Sequence, residues 1–436
     1  MADKYKVLIR KCDDYADQDR IRGIIREGLQ ELGEKPHGKV LLKPNLIFAH
    51  SRYGRFGFTE PRVIECIIDV LAAIPEVEKI TIGERTAVTV PTRYSFYGAG
   101  YGYLEKKPKV EVCFFEEAEL VKFPLKKGTL HQSFQLAQAL VEADYKVWAP
   151  KLKHHASTKM THALKLNIGI LNAHERLAGH DWRLEEKIAD LYEAGYPNLV
   201  VSDSILIGQQ GELVPKPLHL GVIMMSNNGV AIDSVGARLI GFDPNEIEHL
   251  RIARSRGWEP TTDDKIEIKT EIPLEDLMAK TKNFDRTYSD PTTVDTPVRF
   301  YLGHYPQGDR ICNTGCNNMI KTALAIMEAY SPGSIKKARP VAVVIGEYEG
   351  DVDGQGLPIL LVGDCTKVKG KLTGKTRRIG GCPVVVPIFM NYGAYYFKVP
   401  NPYLDPVALA SFPYHAVRSF IGKIKNRGLW NADFFS

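Results

Sequence analysis

Short apolar runs alternate with amphipathic helical segments from the start of this chain, and no other feature restricts its fold as much. Lys6–Lys11 reads as a strand, and Asp17–Leu32 follows with Ile21, Ile24, Ile25, Leu29 and Leu32 at helical spacing. Val40–Leu42 is a short apolar strand that ends in Lys43-Pro44-Asn45. Glu60–Ile74 is a second helix, striped by Val63, Ile64, Ile67, Ile68 and Leu71, and Ile80–Ile82 is a further strand. Val110–Phe115 and Lys146–Ala149 add two more. Strands separated by single helices join through βαβ crossovers, so the expected class is α/β with a mainly parallel sheet.

The alternation continues. Leu184–Glu193, Val230–Ile240 and Asn245–Arg256 read as helices, with Leu199–Ser202 and Leu220–Met225 as strands. A mixed-sign stretch from Thr261 to Lys282, then the turn Ser289-Asp290-Pro291, reads as a connection between domains. At 436 residues the chain is too long for one ordinary core. The division expected is an α/β domain over 1–285 and a Gly/Pro-rich α+β domain over 286–436.

Composition narrows the class of function. With 44% hydrophobic and 25% charged residues the chain is globular, and a net charge of +5 is too small for a dedicated nucleic-acid binder. The amino terminus lacks an apolar signal core, and apolar runs such as Val384–Met390 are too short to span a bilayer. The expectation is a cytoplasmic protein with no membrane contact. Thiols stay reduced there, so clustered cysteines point to metal or catalysis.

Four cysteines in the last third fit that description. Cys312 and Cys316 lie in Cys-Asn-Thr-Gly-Cys, Cys365 in Val-Gly-Asp-Cys-Thr and Cys382 in Gly-Gly-Cys-Pro. Four soft ligands on glycine-rich turns suit an iron–sulfur cluster, whereas zinc knuckles usually pair cysteines at closer spacing and do so twice. One [4Fe–4S] cluster on these four residues is the expected cofactor, with a redox partner protein implied. Cys12, Cys66 and Cys113 lie in strand or helix patterns and read as small buried hydrophobes.

A polar segment, Pro150 to Lys165, leaves the strand Lys146–Ala149 and is expected as a loop at the edge where open α/β sheets bind ligands. Lys151, Lys153, Thr158, Thr161 and Lys165 offer cations and donors for a small anionic substrate. Lys43, Asn45 and Thr59, at the end of one strand and the start of a helix, would reach the same edge. His155 suits acid–base work or a second metal or cofactor, Lys165 a cation or covalent tether, and His180 would fold back onto them. Two glycine-rich runs are not nucleotide loops: Gly98–Gly102 has no strand before it and Gly370–Thr376 no helix after it.

Val40-Leu41-Leu42-Lys43-Pro44-Asn45, Thr59-Glu60-Pro61, Pro150–His155 with Thr158 and Lys165, and Val230-Ala231-Ile232-Asp233 occur in that order. Together, over roughly Lys39 to Arg256, they resemble the domain-of-unknown-function 362 family, some of whose members are iron–sulfur proteins. A fainter similarity is to the lactate racemase family, in which a histidine and a lysine ten positions later serve a lysine-tethered nickel pincer cofactor. His155, Lys165 and His180 are similar to that set, although Ala163-Leu164 stand where the family has a small Gly-Gly-Arg run. The resemblances imply a small-molecule site and cluster binding, with no established reaction. Taken with the cysteine set, the expectation is a [4Fe–4S] redox enzyme or electron-transfer protein acting on a small anionic metabolite, or alternatively an isomerase using a metal or pincer-type cofactor at His155, Lys165 and His180, with the cysteine cluster structural.

Overall fold

The structure, a computed structural model, describes residues 4–50, 53–87, 90–177, 183–286, 289–306, 308 and 312–426. The chain divides into two units. The first comprises Met1–Ser51, Arg55–Arg286 and Pro413–Ser436, and the second Arg52–Gly54 with Thr287–Phe412.

The first unit is built on a ten-stranded sheet. Its strands are β1 (Tyr5–Lys11), β2 (Gly38–Pro44), β3 (Val77–Glu84), β4 (Val110–Phe114), β7 (Tyr145–Ala149), β8 (Lys151–His155), β9 (Lys159–Thr161), β10 (Leu199–Gln209), β11 (Lys216–Ser226) and β12 (Ile266–Thr270); β5 (Leu120–Pro124) and β6 (Ser133–Ala137) form a separate antiparallel pair. The order is β12-β1-β11-β10-β7-β2-β3-β4, with β8 beside β10 and β9 beside β8. Pairing is parallel except where β11 meets β1 and β10 and where β9 meets β8.

The side-chain alternation of the strands explains why both faces are covered. Val7, Ile9, Leu41, Trp148, Val222 and Met224 enter one core with the helices Leu184–Ala194 and Gly229–Leu239. Their neighbours Leu8, Val40, Leu42, Val147, Ile223 and Met225 enter the other, against Gln18–Leu32 and Pro61–Ala72. A sheet buried on both faces needs apolar residues at consecutive positions, which is what these strands have. The helix Gln18–Leu32 begins at Asp17, whose carboxylate accepts the Arg20 amide at 3.0 Å, and ends at Gly33, with φ of 70°.

Two expectations are corrected. The stretch Thr261–Lys282 is not a connection: Ile266–Thr270 is an edge strand parallel to β1, and Leu274–Lys280 is a helix. Its charges are those of a half-exposed edge, while Ile266 and Leu277 are buried. Lys151–Thr161 is not a loop but the β8–β9 hairpin, and all five residues of β8 are buried.

In the second unit β13 (Arg299–Leu302), β14 (Ala342–Glu349), β16 (Ile359–Lys369) and β18 (Thr376–Ile379) form a parallel sheet, beside a small pair, β15 (Val352–Asp353) and β17 (Leu372–Thr373). The helices Asn318–Tyr330 and Val386–Phe397 pack together in the same unit.

Candidate functional site

β2 and β3 are adjacent and parallel, so their carboxyl ends place Lys43 and Glu84 side by side. Lys43 Nζ lies 2.6 Å from Glu84 Oε1, with both side chains buried. The carboxylate also accepts the amides of Arg85 (2.7 Å) and Leu46 (3.2 Å). Burial pushes Lys43 below the ordinary lysine range and Glu84 up to about 6, each partly opposed by the other's charge. Gly169 passes directly over this pair: a Cβ there would sit 2.3 Å from Glu84 Oε1 and 2.6 Å from Lys43 Nζ. Only a glycine allows that approach.

A cavity of about 30 Å³ opens beside the pair, lined by Lys43, Glu84, Arg85, Lys153, Lys165 and Arg176, with Asn45, Thr161 and Gly169. Among the described lining residues, five cations accompany one carboxylate. Lys153 comes from β8 and donates to the carbonyls of Gly57 and, at 2.9 Å, Glu212. Burial pushes its ammonium down to about 7, and the charges of Lys165 and Lys151 add to that. Lys165, on the short helix Ala163–Leu166, has no hydrogen-bond or ion-pair partner among the described residues and is held down to about 8 by burial and the Arg176 charge. The Thr161 hydroxyl is buried without a partner among the described residues. Buried donors are ordinarily satisfied, so an unmatched hydroxyl and ammonium in one cation-lined space are the chemistry of an anion site.

Other residues singled out from the sequence have structural partners. Lys151 is 2.8 Å from both Asp203 Oδ2 and the Tyr15 hydroxyl, and Tyr15 donates to Asp203 Oδ1 at 2.8 Å. Asp203 also accepts the Glu60 amide at 2.9 Å, fixing the start of the helix Pro61–Ala72. Thr59 donates to the Ala149 carbonyl at 2.6 Å and accepts the Asn45 amide at 3.1 Å. Thr158 donates to the Met160 carbonyl at 3.1 Å. His155 Nδ1 accepts the amides of Ser157 (3.0 Å) and Thr158 (3.3 Å) within its own hairpin, and the residue does not line the cavity. His180 lies outside the described residues. Of the residues expected at the site, Lys43, Asn45, Lys153, Thr161 and Lys165 share the cavity.

Glu84, Arg85 and Arg176 escaped the reading of the sequence. The first two carried a usable signal: they end the apolar strand Ile80–Ile82 as Lys43 and Asn45 end Val40–Leu42. Arg176 had none. A second feature unseen in the sequence is a buried polar cluster. His162 Nδ1 lies 2.9 Å from Asp233 Oδ1, and its Nε2 lies 2.7 Å from Ser202 Oγ. The order resembles a hydrolytic triad, but all three are fully buried and none lines the cavity, so Ser202 has no access to a substrate. Asp233 instead accepts the amides of Ala163 (2.7 Å) and Leu164 (3.0 Å), anchoring the helix that carries Lys165.

In the second unit the cysteines sit on three segments, and the turns expected from the sequence are not found at Cys316, in the π-helical stretch Asn313–Asn317, or at Cys365, within a strand, whereas Cys382 is in a turn. Cys312 and Cys316 precede the helix Asn318–Tyr330, Cys365 follows Gly363 (φ 99°) in β16, and Cys382 lies between β18 and Val386–Phe397. Asp364 ties the last two segments: its amide donates to the Gly381 carbonyl at 3.2 Å and its carboxylate accepts the Gly381 amide at 2.8 Å. The Val384 amide points at Cys316 Sγ, 3.5 Å away. Burial pushes the Cys316 thiol up to about 11, and Cys365, Cys312 and Cys382 all add to the shift, so the four are electrostatic neighbours. Among the described residues, no three His, Cys, Asp or Glu side chains are grouped to hold a single metal ion. Cys12 and Cys66 are buried and Cys113 half-buried, with all three thiols raised by burial. No described helix is long and apolar enough to cross a membrane.

Comparison with known proteins adds the following. Residues 40–238 match the family described as Domain of unknown function (DUF362). A relative in Synechocystis sp., named a thylakoid-associated protein, is 26% identical over 238 residues, covering 52% of this chain and 70% of its own. Among solved structures, the lactate racemase apoprotein of Thermoanaerobacterium thermosaccharolyticum covers 79% of this chain and 70% of its own at 10% identity, with a TM-score of 0.37. A Thermotoga maritima protein covers 75% and 70% at 12% identity, with a TM-score of 0.35.

Proposed function

We propose that the first unit binds the anionic head of a small metabolite among Lys43, Lys153, Lys165 and Arg176. The second unit would hold one [4Fe–4S] cluster on Cys312, Cys316, Cys365 and Cys382, making the chain a redox protein of a reducing compartment such as the cytoplasm. One observation carries the reading of the first unit: in a cavity lined by five basic side chains, the Lys165 ammonium and the Thr161 hydroxyl have no hydrogen-bond partner among the described residues. A carboxylate or phosphate entering there would draw protons back onto Lys153 and Lys165 and accept from Thr161. Glu84 would keep Lys43 in place, and Asp233 the Lys165 helix.

The donor set of the second unit, four thiols of which three bear electrostatically on Cys316, is of the soft kind that an iron–sulfur cluster takes. The Val384 amide supplies the kind of N–H contact to sulfur that stabilises a bound cluster. When bound, the cluster would supply one-electron chemistry, exchanged with a partner protein. The isomerase alternative has less support, since His155 is engaged within its hairpin and does not line the cavity.

Calorimetric titration with acetate, oxalate and inorganic phosphate tests the anion site. At least one is expected to bind, and Lys165→Met is expected to weaken it roughly 10- to 100-fold, the worth of one charged hydrogen bond. No binding by the folded chain, or unchanged binding in Lys165→Met, would remove the proposal.

A further inference from the structure

The carboxyl-terminal helix, Pro406–Lys425, is seated with its apolar face outward. From Pro413 onward it belongs to the first unit. There His415, Ser419 and Gly422 are the buried positions, one face of the helix at successive turns. His415 stacks on Tyr97 with ring centroids 5.0 Å apart, and Ser419 hydrogen-bonds to Glu117. Gly422 runs so close over the Glu117 carboxylate that any Cβ would collide with it. The opposite face carries Tyr414, Val417, Phe420, Ile421 and Ile424, between 45% and 59% exposed.

An ordinary surface helix turns its apolar stripe to the protein. Here a stacked ring, a hydroxyl bond and a glycine contact fix the opposite orientation, so the exposed stripe is set by specific contacts. A contiguous apolar face of this kind marks an interaction surface.

Charge selects its occupant. Arg418, Lys423 and Lys425 are interleaved with the stripe, and Pro406–Lys425 contains no acidic residue. A second copy of this chain would set cations against cations. An anionic lipid surface would meet them with opposite charge, while the aromatic and branched side chains enter the headgroup boundary. We propose that the Pro413–Lys425 face docks on an anionic lipid membrane, lying in its plane rather than crossing it. This departs from the expectation of no membrane contact drawn from the sequence.

Flotation of the full chain with vesicles tests it, using phosphatidylcholine alone and phosphatidylcholine mixed with phosphatidylglycerol. Binding is expected to the mixed vesicles and to weaken with salt. Replacing Arg418, Lys423 and Lys425 together by Gln is expected to lower affinity on the order of a hundredfold, about fivefold per cation. The pair Val417→Glu and Ile421→Glu is expected to abolish binding while the circular dichroism melt stays unchanged. Failure to bind, equal binding to both vesicle types, or unchanged binding by the glutamate pair would overturn the proposal. So would a dimer in light scattering that the glutamate pair dissolves, without any vesicle binding, because the face would then belong to a second copy.

Discussion

Lys165 concentrates the chemistry of the cavity: it is a buried ammonium near Arg176 that forms no ion pair among the described residues, with Glu212 and Glu185 acting on it only from a distance. Because burial lowers Lys153 to about 7 and Lys165 to about 8, both are charged below pH 7 and lose their protons as pH rises through those values. Glu84, raised to about 6, becomes negative as pH rises through that point. All three changes act in one direction. Anion affinity is expected to fall steadily from pH 6 to pH 9, with proton uptake on binding near pH 8. Calorimetry in buffers of different ionisation enthalpy measures both, and a flat profile would contradict the assignment. Gly169 gives a second residue-level prediction. The Cβ of Gly169→Ala must displace the Lys43–Glu84 pair, an overpacking expected to cost about 1–3 kcal/mol in urea unfolding.

At the level of elements, the β8–β9 hairpin shows why part of the site was hidden in the sequence. Lys151-Leu152-Lys153-His154-His155 has the composition of a solvated loop, yet every residue is buried, because β10 pairs with its backbone and internal acceptors satisfy Lys151 and Lys153. Local polarity cannot report a partner as distant in sequence as Asp203 or Glu212. The Lys151–Tyr15–Asp203 set joins β8, β10 and the start of Pro61–Ala72, and both charges are almost fully buried. Asp203→Ala strands the Lys151 ammonium and is expected to cost about 3–5 kcal/mol of stability by denaturant unfolding. Combining it with Lys151→Met should recover much of that loss, and no recovery would mean that Asp203 acts mainly through Glu60 and Tyr15. The helices Gln18–Leu32 and Leu184–Ala194, by contrast, were legible within a residue, since Ile21, Ile24, Ile25 and Leu29 declare a buried face by spacing alone, whereas Leu274–Lys280, Val386–Phe397 and Pro406–Lys425 went unread.

Over the whole molecule, the α/β class and the parallel sheet followed from periodicity, because a strand buried on both faces is marked by its own apolar run. The grouping of Pro413–Lys425 with the first unit, and the edge strand within the charged stretch after Thr261, depend on long-range contacts that no local pattern encodes. The cysteines are intermediate: their turn residues pointed to ligation, while their proximity required the fold of β16, β18 and the Asp364–Gly381 contacts. The central claim, a redox protein built on those four thiols, is tested most directly by iron and acid-labile sulfide analysis of the chain purified without oxygen. About four of each per chain are expected, with visible absorption that disappears in Cys316→Ser and in Cys365→Ser. A folded chain free of iron and sulfide, or one that retains both in those variants, would contradict it.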